Sequence, residues 1–117
     1  MKILIIDDDE ETCKAIIAFL TLKGHQAVGV SDGREGIEKI NADTFDRIIL
    51  DMSMPDFSGM DVLQKLKETN KLENNKIVVY SAVAMSQEEI DVIAKKGGSF
   101  LSKSQGMNEL VQTLMTC

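Results

Sequence analysis

Histidine occurs once in these 117 residues, cysteine twice, and no block of lysine and arginine offsets a formal net charge of −6. Without a basic block, nucleic acid meets a repulsive average field, so direct DNA or RNA binding is not expected. The longest apolar runs are strand-sized, and Met1-Lys2 leads straight into one without the apolar stretch of a signal peptide. Membrane insertion and export are therefore not expected, and the location expected is the cytoplasm. Cys13 and Cys117 stand alone in different segments, which fits reduced thiols better than a disulfide framework. His25 lies in Lys23-Gly24-His25-Gln26, between a helical and a strand-like segment, and reads as a loop residue rather than a base. No internal repeat, low-complexity tract or Pro/Gly/Ser linker interrupts the chain, so residues 1–117 are expected to form one domain.

What is present is an ordinary globular composition, 44% hydrophobic and 27% charged, arranged as short β-branched runs alternating with segments of helical period. Strands are predicted at 2–6, 26–30, 47–50, 77–80 and 99–102; the first is apolar throughout after Lys2, as a strand buried on both faces should be. Helices are predicted over 10–23, 59–69 and 107–115, with two more opened by Asp32…Glu35 and by Ser86-Gln87-Glu88-Glu89, both of capping-box form. Gly24 and the pair Gly97-Gly98 are placed to end helices, and residues 70–76 read as a solvated loop. Alternation of five strands with five helices predicts an α/β, doubly wound parallel sheet. Its flavodoxin-like order is 2-1-3-4-5, with ligands bound outside the carboxyl ends of the strands where strands 1 and 3 meet.

That edge is where the acids collect. Asp7-Asp8-Asp9 follows the first strand and Asp51 follows Ile48-Ile49-Leu50. Carboxylates within about 5 Å repel by roughly 3 kcal/mol per ionised pair at an effective dielectric near 20, a cost that calls for a compensating cation. Oxygen-only ligands, with no His or Cys close by in sequence, favour Mg2+ or Mn2+ over zinc. Asp9 is the better candidate to cap the first helix, which leaves Asp7 and Asp8 for the metal. Ser81 after strand 4 and Lys103 after strand 5 bring a hydroxyl and a cation to the same edge. Met52, Met54, Met60 and Met85 surround it and read as packing.

The segments Ile5-Ile6-Asp7-Asp8, Leu50-Asp51-Met52-Ser53-Met54-Pro55 with Gly59, Tyr80-Ser81-Ala82 and Phe100-Leu101-Ser102-Lys103 resemble, over nearly the whole length, the receiver domain of two-component response regulators, of the single-domain kind. The resemblance implies that Asp51 accepts a phosphoryl group from the phosphohistidine of a histidine kinase or histidine phosphotransfer protein. It implies Mg2+ (or Mn2+) held by Asp7, Asp8, Asp51 and the backbone carbonyl of Ser53, with Lys103 as the phosphate-binding cation. Ser81 is expected to contact the phosphoryl oxygens only once they are in place, drawing its loop inward, with Phe100 as the second switch residue. Output is expected through a protein contact of helix 4, strand 5 and helix 5 with an unidentified target or, on phosphorylation, a second copy. Such a domain does chemistry on itself and turns over no external substrate.

Departures from the family pattern carry their own expectations. Ser104 stands where the family usually has proline, so a trans Lys103-Ser104 bond and a looser loop over residues 103–106 are expected. Phe100 replaces a frequent tyrosine and can act by packing alone. Ser53 and Val83 occupy the positions that influence water attack on the phosphoryl group; Val83 cannot orient water, so a long-lived phosphoaspartate is expected. Two other classes compete. One is a receiver-like scaffold that is never phosphorylated, against which the full set of Asp7, Asp8, Asp51, Ser81 and Lys103 argues. The other is an aspartate-nucleophile phosphohydrolase, for which Asp7 and Asp9 have the spacing but Glu11 is the wrong residue. A flavodoxin is disfavoured because an acidic loop would repel the flavin phosphate.

Overall fold

Five parallel strands alternate with five helices in the computed structural model, which describes residues 1–54, 57–69, 76–95 and 98–116. In chain order these are β1 (Lys2–Ile6), α1 (Glu10–Leu22), β2 (Gln26–Val30), α2 (Gly33–Ala42), β3 (Arg47–Leu50) and α3 (Gly59–Glu68). Then follow β4 (Lys76–Ser81), α4 (Gln87–Lys95), β5 (Ser99–Ser102), a short 3-10 turn (Lys103–Gln105) and α5 (Gly106–Thr116). The sheet runs β2-β1-β3-β4-β5, the order expected. Expectations for Pro55, the loop from 70 to 75, Gly97 and Cys117 lie outside the described residues.

Alternation along β1 builds both halves of the core. Ile3 and Ile5 face one layer with Cys13, Ile16 and Leu20 of α1 and Leu110 and Leu114 of α5. Leu4 and Ile6 face the other, with Ile40 of α2, Val62, Leu63 and Leu66 of α3 and Ile93 of α4. The four apolar residues of β1 are fully buried, which is why the run carries no polar alternation.

Helix ends follow their local chemistry. Asp9 caps α1, accepting hydrogen bonds from the backbone N–H groups of Glu11 and Thr12. Gly24, at φ +88, ends it. Ser86 and Glu89 close a reciprocal capping box at α4, whereas Asp32 caps α2 by accepting from the Glu35 N–H alone. Ser58 and Asp61 form a further box at α3. Gly59, next to Ser58, has a buried position that only a missing side chain allows: a Cβ there would lie 2.5 Å from the Asp51 carbonyl oxygen and 2.7 Å from Met52 Cα. The α3 amino end is thereby packed directly on the backbone of Asp51.

His25 precedes β2, at the amino edge of the sheet and opposite the acids, with its Nδ1 3.0 Å from the Met1 amine. Cys13 is a buried free thiol whose titration burial and Asp7 push upward. Among the described residues no helix is long and apolar enough to cross a membrane.

Candidate functional site

Parallel register sets the acids side by side. Ile6 pairs with Leu50, the Asp51 N–H donates to the Ile6 carbonyl at 2.9 Å, and the Asp7 N–H donates to the Val30 carbonyl at 3.2 Å. Both residues leave their strands at one edge, with Asp7 and Asp51 buried and Asp8 exposed. One carboxylate oxygen from each of Asp7, Asp8 and Asp51 lies within 4.8 Å of the others. Because Asp9 is engaged as the α1 cap, its neighbours remain available, and the Asp9 N–H orients Asp7 by donating to Oδ1 at 2.9 Å.

The cation arrives from the far side of the sheet. Ser81 pairs with Ser102, and the next residue, Lys103, extends Nζ to 2.9 Å from Asp7 Oδ2 and 3.9 Å from Asp51 Oδ1. Burial works against the Lys103 charge, but the hydrogen bond and charge of Asp7, with Asp51 and Asp9 behind it, hold its proton more tightly than usual. Asp51 is shifted the opposite way: burial and then the Asp7 carboxylate raise its carboxyl above the ordinary range. Lys103, the Ser53 N–H and the Ser81 hydroxyl offset only part of that. Asp51 is thus a buried carboxylate short of compensating charge, and the more basic for it.

Ser81 is fully buried at the same edge, and its Oγ accepts the Val83 N–H at 3.3 Å. A hydroxyl at the end of a buried central strand needs a hydrogen-bond partner, and the Val83 N–H supplies one. The segment after Lys103 is a closed turn. The Lys103-Ser104 bond is trans as expected, but residues 103–105 form a capped 3-10 turn, because Ser104 keeps the N–H that proline lacks and donates it to Ser102 Oγ at 3.3 Å. Ser102 and Gln105 of that turn were missed in the sequence, although the pattern Ser-x-x-Gln was the available signal.

Phe100 and Met85 are partly buried, and each packs against the α2–α3–α4 layer. Ser53 is exposed, its N–H directed at Asp51.

The donor set fits a small hard cation. All of its atoms are oxygens, and opposite ligands of an ion bound at about 2.1 Å stand about 4.2 Å apart, close to the spread of the cluster. Asp8, exposed at the rim, leaves room for the waters that Mg2+ retains.

Comparison with known proteins agrees with this geometry. The family described as "Response regulator receiver domain" matches residues 3–115. The Mycobacterium tuberculosis transcriptional regulatory protein KdpE is 29% identical over 112 residues, covering 96% of this chain and 48% of that protein. Streptococcus pneumoniae response regulator RR06 is 37% identical over 83 residues, covering 71% of this chain and 37% of that protein. The chain spans about half or less of the length of the curated relatives it matches. Among solved structures, the receiver domain of Francisella response regulator 1452 gives a TM-score of 0.85 at 28% identity, covering 97% of this chain and 93% of that one. Thermotoga maritima TrrA, in complex with Mg(2+)-BeF, gives 0.83 at 23% identity, covering 97% and 96%, a likeness of fold.

Proposed function

The chain belongs to the response regulator receiver domain family, and from that premise we propose that Asp51 is the phosphoryl acceptor of a two-component pathway. The donor is the phosphohistidine of a histidine kinase or histidine phosphotransfer protein. An Asp51 carboxylate oxygen forms a bond to phosphorus as the P–N bond to the donor imidazole breaks, and the departing nitrogen keeps that bond's electron pair and is protonated. Burial of Asp51 limits the solvation that would blunt its attack. Lys103 exchanges part of its hold on Asp7 for a phosphoryl oxygen, a role suited to a compact ammonium. Ser81, buried at the end of β4 beside Asp51, turns its hydroxyl to another phosphoryl oxygen. Asp7, Asp8 and Asp51, with the Ser53 carbonyl, would hold Mg2+ (or Mn2+), which when bound would supply positive charge to offset that on the phosphoryl oxygens. The Mg(2+)-BeF complex of TrrA, a protein of the same fold, supports that assignment.

Output passes to a protein partner through α4, β5 and α5, a surface on which Val92 of α4 is exposed and Phe100 of β5 is partly buried against the core. A second copy of the phosphorylated chain could occupy the same surface. We place this activity in the cytoplasm, without direct nucleic-acid contact or turnover of external substrate. The observation that carries the reading is the reach of Lys103 Nζ across the sheet to Asp7 and Asp51. Treatment with acetyl phosphate and Mg2+ is expected to add one phosphoryl group to the intact mass, with none added to Asp51→Asn or in EDTA. An unmodified wild-type chain, or a modified Asp51→Asn, would refute it.

A further inference from the structure

Lys103 is a flexible side chain at the last turn of an edge strand, yet its ammonium is held on one buried carboxylate and beside another. A four-carbon stem transmits any change in the direction of its Cα–Cβ bond to Nζ, so the backbone at Lys103 has to be pinned. The pins are visible. Gln105 Oε1 accepts the Ser102 N–H at 3.1 Å, and Ser102 Oγ accepts the Ser104 N–H at 3.3 Å and lies 2.9 Å from Ser104 Oγ. The Gly106 N–H closes the turn on the Lys103 carbonyl, at a φ of +85 that suits glycine.

This turn buries none of its three residues, so its hydrogen bonds hold a direction and not a core. Gln105 touches neither Asp7 nor Asp51 by hydrogen bond; its side-chain oxygen is spent on the backbone just before Lys103. Ser102 is also the register partner of Ser81, so the same residue ties the turn to the strand end that carries the site's hydroxyl.

We propose that Ser102 and Gln105 are positioning residues for phosphoryl transfer: their reciprocal capping box aims Lys103 Nζ at Asp7 and Asp51. The proposal rests on Asp51 being the phosphoryl acceptor. Gln105→Ala deletes one half of the box, Ser102→Ala the other, and Gln105→Glu keeps an oxygen acceptor of the kind such boxes use.

The test measures phosphorylation of the full chain by acetyl phosphate with Mg2+, and, separately, the order of the Lys103 Cε methylene by NMR relaxation in the unphosphorylated protein. Gln105→Ala and Ser102→Ala are expected to slow phosphorylation about three- to tenfold, the worth of one exposed hydrogen bond, with the urea midpoint nearly unchanged. Gln105→Glu is expected within about twofold of wild type. In a Lys103→Ala background, Gln105→Ala is expected to add nothing, since the residue acts through Lys103. Lys103 Cε is expected to lose order in Gln105→Ala and regain it in Gln105→Glu. An equal slowing by Gln105→Ala with and without Lys103, or unchanged Lys103 order, would overturn the proposal. A wild-type chain that takes no phosphoryl group would instead defeat the acceptor reading, while the order measurement would still decide the role of the box.

Discussion

Replacing Asp51 by asparagine should make the metal-free protein more stable, even though it abolishes phosphorylation. Asparagine preserves the shape of the side chain and keeps one carbonyl oxygen in place of the carboxylate. What disappears is charge. Repulsion from Asp7, no more than 4.8 Å away, amounts to about 3.5 kcal/mol or more at an effective dielectric near 20. Attraction to Lys103 at 3.9 Å is worth about 4.3 kcal/mol by the same rule. These nearly cancel, so burial decides, and it opposes the charge: the carboxyl is held above its ordinary range. The expected gain for Asp51→Asn at pH 7 in EDTA is on the order of 1 kcal/mol. With a urea dependence of about 1.5 kcal/mol per molar, the midpoint rises by roughly 0.7 M.

The sign with pH follows from linkage. A carboxyl with a raised folded-state pKa binds its proton more tightly folded than unfolded. Its contribution to stability therefore falls as pH rises from the unfolded value through the folded one. Wild type should lose ground to Asp51→Asn as pH climbs from about 4 to 7. Mg2+ should reverse the order, because an ion at 100 times its dissociation constant adds about 2.7 kcal/mol to the chain that holds it. Urea titrations of both proteins, in EDTA and in Mg2+ across that pH range, read all three effects. An Asp51→Asn midpoint at or below wild type in EDTA, or a gap independent of pH, would refute the charge argument.

Lys103→Met removes the partner of the buried Asp7 carboxylate and should lower stability in EDTA by about 1–3 kcal/mol, besides slowing phosphorylation; a urea midpoint equal to wild type would contradict the pairing. Gly59→Ala places a methyl 2.5 Å from the Asp51 carbonyl oxygen, so the backbone must give way. A loss of about 1–3 kcal/mol with slower phosphorylation is expected, measured by thermal melting and intact mass. Val83 is exposed, so Val83→Asn should leave the melting temperature alone. It should shorten the phosphoaspartate half-life at least about threefold, roughly 0.7 kcal/mol in barrier, by giving attacking water a hydrogen-bond partner.

Features that depend on neighbours in the chain could be read from the sequence. Continuous apolarity placed β1 and β3, the Ser86-to-Glu89 box opened α4, and Asp9 was recognised as the α1 cap, because each rests on contacts spanning a few residues. The rule that ligands sit beyond strand ends, with the family resemblance, was enough to assign the acids, Ser81 and Lys103 to one pocket. What those groups do to one another was decided by tertiary structure. Asp7 and Lys103, 96 residues apart, meet at 2.9 Å only because β1 and β5 end at the same edge, and no local pattern records that distance. Burial of Ser81, and the upward shift of the Asp51 carboxyl, likewise depend on how much water the packed sheet excludes. The turn after Lys103 shows the division most plainly. Ser104 was legible as a missing proline, but whether its freed N–H loosened the chain or tightened it depended on Ser102 and Gln105 closing around it.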